Sequence, residues 1–310
     1  MILCVNPNAA IDKTVVVPAF RLNAIHRPEQ VLAFPGGKGC NVARALKRLG
    51  ESPVVTGWIG GHAGQFIEDG LRAEGIQTDF IHTDFESRTC LSILDPQDNT
   101  LTELYEKGEP VPAEKLDEFK EHFAATVKRY AAVTFSGSLP PGVPLDFYRQ
   151  MVEIARDANV LAILDSSGEA LRLGVQAQPA LVKPNEKEFA DLAGRQLSDR
   201  NDFARAAGEL SDRCQTMVVI SLGAEGALAA NRHEVWHVHP PRLAIKSAVG
   251  SGDSTVAGIT YGLTHGFAFE EAVKYGVAAG TANALTVGAG VFTADDFQRV
   301  LSGVTITRSQ

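Results

Sequence analysis

A chain of 310 residues, 45% hydrophobic and 21% charged, is long enough to bury a large core and has the composition of a globular protein, which excludes a disordered or fibrous one. A formal net charge of −8 excludes the broad basic surface that a nucleic acid or an acidic membrane would need, but it leaves room for an anionic small molecule held by a few local cations and helix N-termini. Four scattered cysteines (Cys4, Cys40, Cys90, Cys214) without a C-x-x-C pair argue for free thiols and against zinc; with no basic leader and no run of 18 apolar residues, a cytoplasmic protein without a membrane partner is expected.

Ile2–Val5 is a short apolar run that stops at Asn6-Pro7-Asn8, as a buried strand followed by a turn would. Asp12 and a β-branched run, Thr14–Val17, come next. The cluster Phe34-Pro35-Gly36-Gly37-Lys38-Gly39-Cys40-Asn41 leads into a segment with apolar residues at 42, 45, 46 and 49, a helical spacing that ends at Gly50. A cation, Lys38, and an amide, Asn41, thus stand at a helix N-terminus. Pro53–Ile59 reads as a strand and Gly64–Glu74 as a helix. Cys90–Leu94 and Leu101–Tyr105 read as two strands joined by Asp95-Pro96-Gln97-Asp98-Asn99, and with Thr14–Val17 they form a small separate sheet.

From about residue 110 strands and helices alternate: helix 112–128, strand 131–136, helix 145–157, strand 160–165, strand 180–183, helix 186–193, helix 202–211 and strand 216–221. Such alternation calls for parallel strands with helical crossovers and a sheet covered on both faces. Apolar runs at 226–230 and 234–239 and helices at 253–265 and 269–286 complete the chain. There is no internal repeat or linker, so one main domain with a small β insertion is expected. His233, His237 and His239 alternate as on an exposed strand; no third ligand has the spacing that would make a metal site of them.

Ligands of open parallel sheets bind beyond the carboxyl ends of the strands. Short polar turns follow four successive strands there: Ser136-Gly137-Ser138, Asp165-Ser166-Ser167-Gly168, Lys183-Pro184-Asn185-Glu186 and Ser221-Leu222-Gly223. Asn185 and Glu188, three apart at a helix start, suit a hydrated Mg²⁺ and suit a capping box equally well. The stretch Ser247-Ala248-Val249-Gly250-Ser251-Gly252-Asp253 adds a glycine turn at another helix N-terminus, an arrangement that aims backbone N–H groups at phosphate oxygens. A carboxylate in an anion site repels its ligand, so Asp253 is either a plain N-cap or a base that takes the proton of an attacking nucleophile. The chain lacks G-x-x-x-x-G-K-[ST], G-x-G-x-x-G and G-x-S-x-G, the signatures of P-loop nucleotidases, dinucleotide folds and nucleophile elbows.

Four motifs in this order resemble the PfkB family of ribokinase-like carbohydrate kinases along the whole chain: Gly36-Gly37-Lys38-Gly39-Cys40-Asn41-Val42-Ala43, Asp165-Ser166-Ser167-Gly168, Lys183-Pro184-Asn185-Glu186-Lys187-Glu188 and Val249-Gly250-Ser251-Gly252-Asp253. Asn6-Pro7 with Asp12, Ser136-Gly137-Ser138-Leu139-Pro140-Pro141-Gly142 and Gly276-Val277-Ala278-Ala279-Gly280 are similar to the branch of 1-phosphofructokinase, minor 6-phosphofructokinase and tagatose-6-phosphate kinase. The resemblance implies an α/β fold, a ribokinase-like three-layer sandwich with a mostly parallel central sheet. One kinase domain would span residues 1–310, with a β lid built from about 12–35 and 88–107. The implied reaction is ATP-dependent phosphorylation of a ketohexose monophosphate (fructose 1-phosphate, fructose 6-phosphate or tagatose 6-phosphate) to the bisphosphate.

In such kinases the residue matching Asp253 is the catalytic base, and the amides matching Gly250, Ser251 and Gly252 form the anion hole. Asn185 and Glu188 match the motif that organises Mg²⁺ through water. Lys183, Asn185, Ser221, Gly223, Gly226, Gly252 and Asn283 match the ATP cleft. Asp12, Gly37 and Asn41 match sugar-hydroxyl contacts, and Arg27, Lys38, Arg88 and Ser138 would meet the phosphate already on the sugar. The lid implies a homodimer. Ala248 departs from the Thr, Pro or Lys of many relatives, and Lys38 is shared with 1-phosphofructokinases and tagatose-6-phosphate kinases rather than with the minor 6-phosphofructokinase. Two other readings stay open, a kinase for an unphosphorylated sugar or nucleoside and a non-catalytic sugar-phosphate-binding regulator. The three cations oppose the first, and an intact Asp253 with an intact Asn185/Glu188 pair opposes the second.

Overall fold

Successive side chains of a strand point to opposite faces of a sheet, and in the computed structural model, which describes residues 1–232 and 234–309, both faces of the central strands are buried. Leu3 and Val5 enter one hydrophobic cluster while Ile2 and Cys4 enter the other; Val182, Val218 and Ile220 oppose Leu181 and Val219 in the same way. Helices Ala113–Thr126, Phe147–Asp157, Gly168–Val175, Glu186–Ala193 and Arg200–Cys214 contribute to the first cluster. Lys38–Arg48, Gly61–Ala73, Ser251–Thr264, Phe269–Ala284 and Ala294–Gly303 contribute to the second. The result is the expected three-layer sandwich.

The large sheet has ten strands in the order Thr305–Arg308, Glu234–His239, Ala227–Asn231, Met217–Ser221, Leu181–Val182, Leu161–Asp165, Ala132–Ser136, Ile2–Val5, Pro53–Thr56, Gln77–Thr78. From Met217–Ser221 to Gln77–Thr78 every pairing is parallel, and the three strands at the other edge are antiparallel. A second sheet of four strands runs in the order Gln30–Gly36, Ala10–Val16, Arg88–Asp95, Thr100–Tyr105. Its strand Gln30–Gly36 contains Pro35 and lies at the edge, where the missing proline N–H breaks no ladder.

The strand expected over 53–59 is two, Pro53–Thr56 and Trp58–Gly60, because the neighbour Ile2–Val5 ends opposite Thr56. Trp58–Gly60 then pairs with Ile81–Thr83 in a sheet of its own. The sequence pattern also misses elements that are short, polar or carry a proline, among them the strands Gln30–Gly36, Gln77–Thr78, Ile81–Thr83 and Thr305–Arg308 and the helices Gly168–Val175 and Ala294–Gly303. His237 and His239 stack on one face of their strand with ring centroids 5.9 Å apart, and among the described residues no group of three His, Cys, Asp or Glu side chains could hold a metal; His233 lies outside them. No helix among the described residues is long and apolar enough to cross a membrane.

Candidate active site

The glycine turn does begin a helix. Gly250 caps Ser251–Thr264 at φ 77°, in the left-handed region, and a Cβ there would lie 2.5 Å from the Cα of Ala289, so only glycine lets the turn close against that loop. Ser254 N–H donates to the Gly250 carbonyl, and Ser251 N–H to that of Ala248. The N–H groups of Gly252 and Asp253, second and third in the helix, are among those for which an α-helix supplies no acceptor. The buried Ser251 Oγ beside them has no partner either. These are the donors an oxyanion would meet. Asn283, expected in the nucleotide cleft, is fully buried beneath this turn. Its Nδ2 donates to the Val249 carbonyl at 2.7 Å and its Oδ1 accepts from Val291 N–H at 3.0 Å, so it braces the loop from below.

Asp253 is buried, and one of its oxygens accepts a hydrogen bond from Asn41 Nδ2 at 2.8 Å. Burial pushes the carboxyl up to about 6; Lys38, Asn41 and Lys183 oppose that rise and Asp165 adds to it. A carboxyl poised there can accept a proton near neutral pH. Lys38 Nζ stands 3.4 Å from Asp165 Oδ2, and the other Asp165 oxygen lies 3.3 Å from Lys183 Nζ. Asp165 above all, then Asp253 and Glu188, hold the Lys38 ammonium firmly protonated against its burial. A buried carboxyl near neutrality, two cations and a second buried carboxylate therefore meet at the ends of two strands and the starts of two helices. Asp165 was legible in the sequence only as one polar turn among four; its place between two lysines was not.

On the side of the small sheet, the Asp12 carboxyl lies on the bare Cα of Gly36, where a Cβ would fall 2.2 Å from its Cγ. Burial raises the pKa of Asp12, with the Gly37 N–H, Arg44 and Arg88 opposing. Asn6 shapes the turn beside it, donating from Nδ2 to the Gly36 carbonyl and accepting from Gly39 N–H. Arg88 reaches the Asn8 carbonyl through Nε and Nη2 at 3.2 and 3.1 Å, while Asn8 Nδ2 is 3.5 Å from Ser138 Oγ. Asn6 and Asn8 are thus structural parts of the site; the sequence showed Asn8 only as part of a turn, and Asn6 as part of that turn and of the branch resemblance. Arg27 stands apart, exposed on the connection between Ala10–Val16 and Gln30–Gly36, with no hydrogen bond to the other site residues.

A cleft of about 810 Å³ opens on the far side of the glycine turn, lined among others by Asn185, Ser221, Gly223, Gly226, Ser251 and Gly252. It is large enough for a nucleotide. Lys183 lies below it, buried in its pairing with Asp165. Asn185 and Glu188 form a full capping box, Asn185 Oδ1 accepting from Glu188 N–H at 2.9 Å and Glu188 Oε2 from Asn185 N–H at 2.8 Å. The box leaves Glu188 Oε1 and the second lone pair of Asn185 Oδ1 to accept from metal-bound water, and the charge of Glu188 is felt at Lys38 across the site. These oxygen acceptors fit a hydrated Mg²⁺ shared with phosphate oxygens.

Over residues 6–295 the chain matches the family described as pfkB family carbohydrate kinase. A tagatose-6-phosphate kinase of Staphylococcus epidermidis is 33% identical over 309 residues, 99% of each chain. Among solved structures, phosphofructokinase-2 from Escherichia coli in complex with fructose-6-phosphate superposes with a TM-score of 0.89 at 30% identity, over 97% of this chain and 98% of that one. A Thermotoga maritima protein described as a possible 1-phosphofructokinase superposes with a TM-score of 0.88 at 28% identity, over 100% of both chains.

Proposed function

We propose that this chain, which belongs to the pfkB family of carbohydrate kinases, transfers the γ-phosphoryl group of ATP to a hydroxyl of a ketohexose monophosphate, yielding the bisphosphate and ADP. The observation that carries the reading is the position of Asp253: a buried carboxyl with a pKa near neutrality, set between the donors of the glycine turn and the amide of Asn41. The relatives' names supply the substrate class, and fructose 1-phosphate, fructose 6-phosphate and tagatose 6-phosphate all stay within it.

In the proposed reaction Asp12, Gly37 and Asn41 hold the sugar hydroxyls, and Arg88 with Asn8 and Ser138 anchors the phosphate the sugar already carries. The acceptor hydroxyl gives its proton to Asp253 as its oxygen forms a bond to the γ-phosphorus, and the bond to the ADP oxygen breaks in line. The amides of the glycine turn take the charge of the moving phosphoryl group. Lys38 faces Asp165 and Asp253, which supports a role at that group rather than at the sugar's own phosphate. Bound Mg²⁺, held through water on Asn185 and Glu188, would neutralise phosphate charge. The four-stranded sheet acts as a lid. Its exposed Phe34, Leu101 and Tyr105 share the face of Asp12 by register, which supports pairing with a second copy of the chain.

ADP release should be measured with Mg-ATP against the three ketohexose phosphates and against free fructose and ribose, for the native chain and Asp253→Asn. Turnover on one phosphorylated sugar that the variant loses is expected. Turnover on free sugars alone would overturn the role of Arg88, and binding without turnover on any sugar would make the chain a regulator.

A further inference from the structure

Arg44 lies within the helix Lys38–Arg48 and is only 7% exposed. A guanidinium has five N–H donors, and here each has an acceptor. Nε and Nη2 donate to the Glu74 carboxylate at 2.6 and 3.0 Å, and Nη2 also donates to the Pro35 carbonyl at 2.9 Å. Nη1 donates to the Ala289 carbonyl at 3.0 Å and to Asn41 Oδ1 at 3.2 Å. These acceptors come from four places. Glu74 closes the helix Gly61–Ala73, Pro35 is the next-to-last residue of the outer strand Gln30–Gly36 of the small sheet, Ala289 is the residue against which Gly250 packs, and Asn41 is the amide that meets Asp253.

Glu74 and the two carbonyls suffice to keep a cation buried; the bond to Asn41 does something more. Arg44 can only donate and an ionised Asp253 can only accept, so one orientation of the amide between them satisfies both, Oδ1 towards Arg44 and Nδ2 towards Asp253. An amide released from Arg44 can turn over and accept a proton from a neutral Asp253. That would favour the protonated acid, in which form the group cannot act as a base.

We propose that Arg44 is a positioning residue that locks the Asn41 amide as a donor to Asp253 and ties this lock to the lid strand at Pro35 and to the loop at Ala289. The inference rests on the reading of Asp253 as the base. The other charges facing Asp253 are Lys38 on the same helix as Arg44, Asp165 and Lys183, and all stay in place in the variants below.

The test is the pH dependence of kcat/KM for native enzyme, Arg44→Lys and Glu74→Gln. A lysine has three donors and no planar fork, so it cannot serve all four acceptors. In Arg44→Lys the acid limb should move to higher pH by about one unit and the plateau should fall about tenfold. Glu74→Gln, which loosens the other end of the guanidinium and costs stability, should keep the native limb. Coincident limbs for Arg44→Lys and native enzyme, or an equal shift in Glu74→Gln, would overturn the proposal. If Arg44→Lys does not fold, native protein labelled with ¹⁵N-asparagine decides, the Asn41 amide being assigned by its loss in Asn41→Ser. Its protons should exchange slowly and titrate with a midpoint near that of Asp253. Fast exchange without that titration counts against the lock. This readout does not depend on catalysis, so an active Asp253→Asn enzyme would sink the base alone.

Discussion

The two regions that flank the proposed acceptor are built on opposite terms. Around Asp253 most polar side chains are engaged, and all of these but the part-exposed Lys38 are buried: Asn41 with Asp253 and Arg44, Asp165 with Lys38 and Lys183, Asn283 with the loops on either side of it. The small sheet is the reverse. Thr100–Tyr105 is exposed along its length, and Phe34 and Tyr105 are about half exposed on the face that carries Asp12. Charge developing in a transition state is best met by dipoles that are already fixed, because they need no reorganisation at the moment of reaction. A substrate must enter and leave, so its recognition belongs on an element that can move and is completed only on closing. Substitutions in the first region should therefore act on turnover, and those in the second on affinity.

Asp253→Asn gives the largest effect expected. Loss of the base should lower kcat by about two to four orders of magnitude, with ATP affinity kept. The same change should raise stability at neutral pH. The folded pKa, at about 6, lies above the ordinary carboxyl value of 3.8, so the fold favours the neutral carboxyl. That contribution is present below the unfolded pKa and is lost as pH rises through about 6. Thermal melts should show the variant ahead of native protein at pH 8 and the gap closing at pH 5. A variant that is less stable at pH 8 would mean that Asp253 carries no burial penalty.

Lys38→Met comes next. If Lys38 serves the moving phosphoryl group, kcat should fall about 100-fold while KM for the sugar phosphate changes little. If KM rises and kcat holds, Lys38 belongs with the sugar's own phosphate and the border between the two regions shifts by one residue. Arg88→Ala should do the opposite. Losing a charge-assisted anchor is worth about 1.5 to 3 kcal/mol, read as a tenfold or greater rise in KM with kcat largely kept. A fall in kcat alone would erase the contrast.

The two regions were also unequally legible in sequence. Asp253 and the glycine turn stood out because a carboxylate in an anion site is anomalous, and the sheet followed from apolar runs whose alternation needs no long-range information. Arg44 was not legible: beside Lys47 and Arg48 it reads as the wet side of a helix, yet it is buried by acceptors 30 and 245 residues away in sequence. Asn283 carried a faint signal, a lone amide in a helix of small apolar residues, but that could equally point into the cleft. The strand Gln30–Gly36 was masked by Pro35, which only its edge position permits. Residues whose role is fixed by local chemistry could be read; those fixed by partners brought from elsewhere could not.

The smallest effect is expected at the outer edge of the lid, where the comparison is easiest to break. Leu101 shares a face with Leu94 and Val16 by register and lies on the outermost strand with about half its surface exposed. If a second copy covers this face, the leucine is buried twice in the dimer. Removing it should then weaken association by about 1 to 2 kcal/mol per copy, and a protein monomeric for other reasons would not notice the change. Sedimentation of Leu101→Ser across a dilution series should show dissociation at a higher concentration than native protein. KM for the sugar phosphate should rise a few-fold in parallel and kcat at saturation should stay, because the hydrogen bonds and ion pairs around Asp253 do not involve the strand Thr100–Tyr105. Unchanged mass and unchanged KM would mean that the apolar face has another use. A lower kcat with unchanged mass would mean that the lid and the buried site are mechanically one unit, and the division between them would have to be given up.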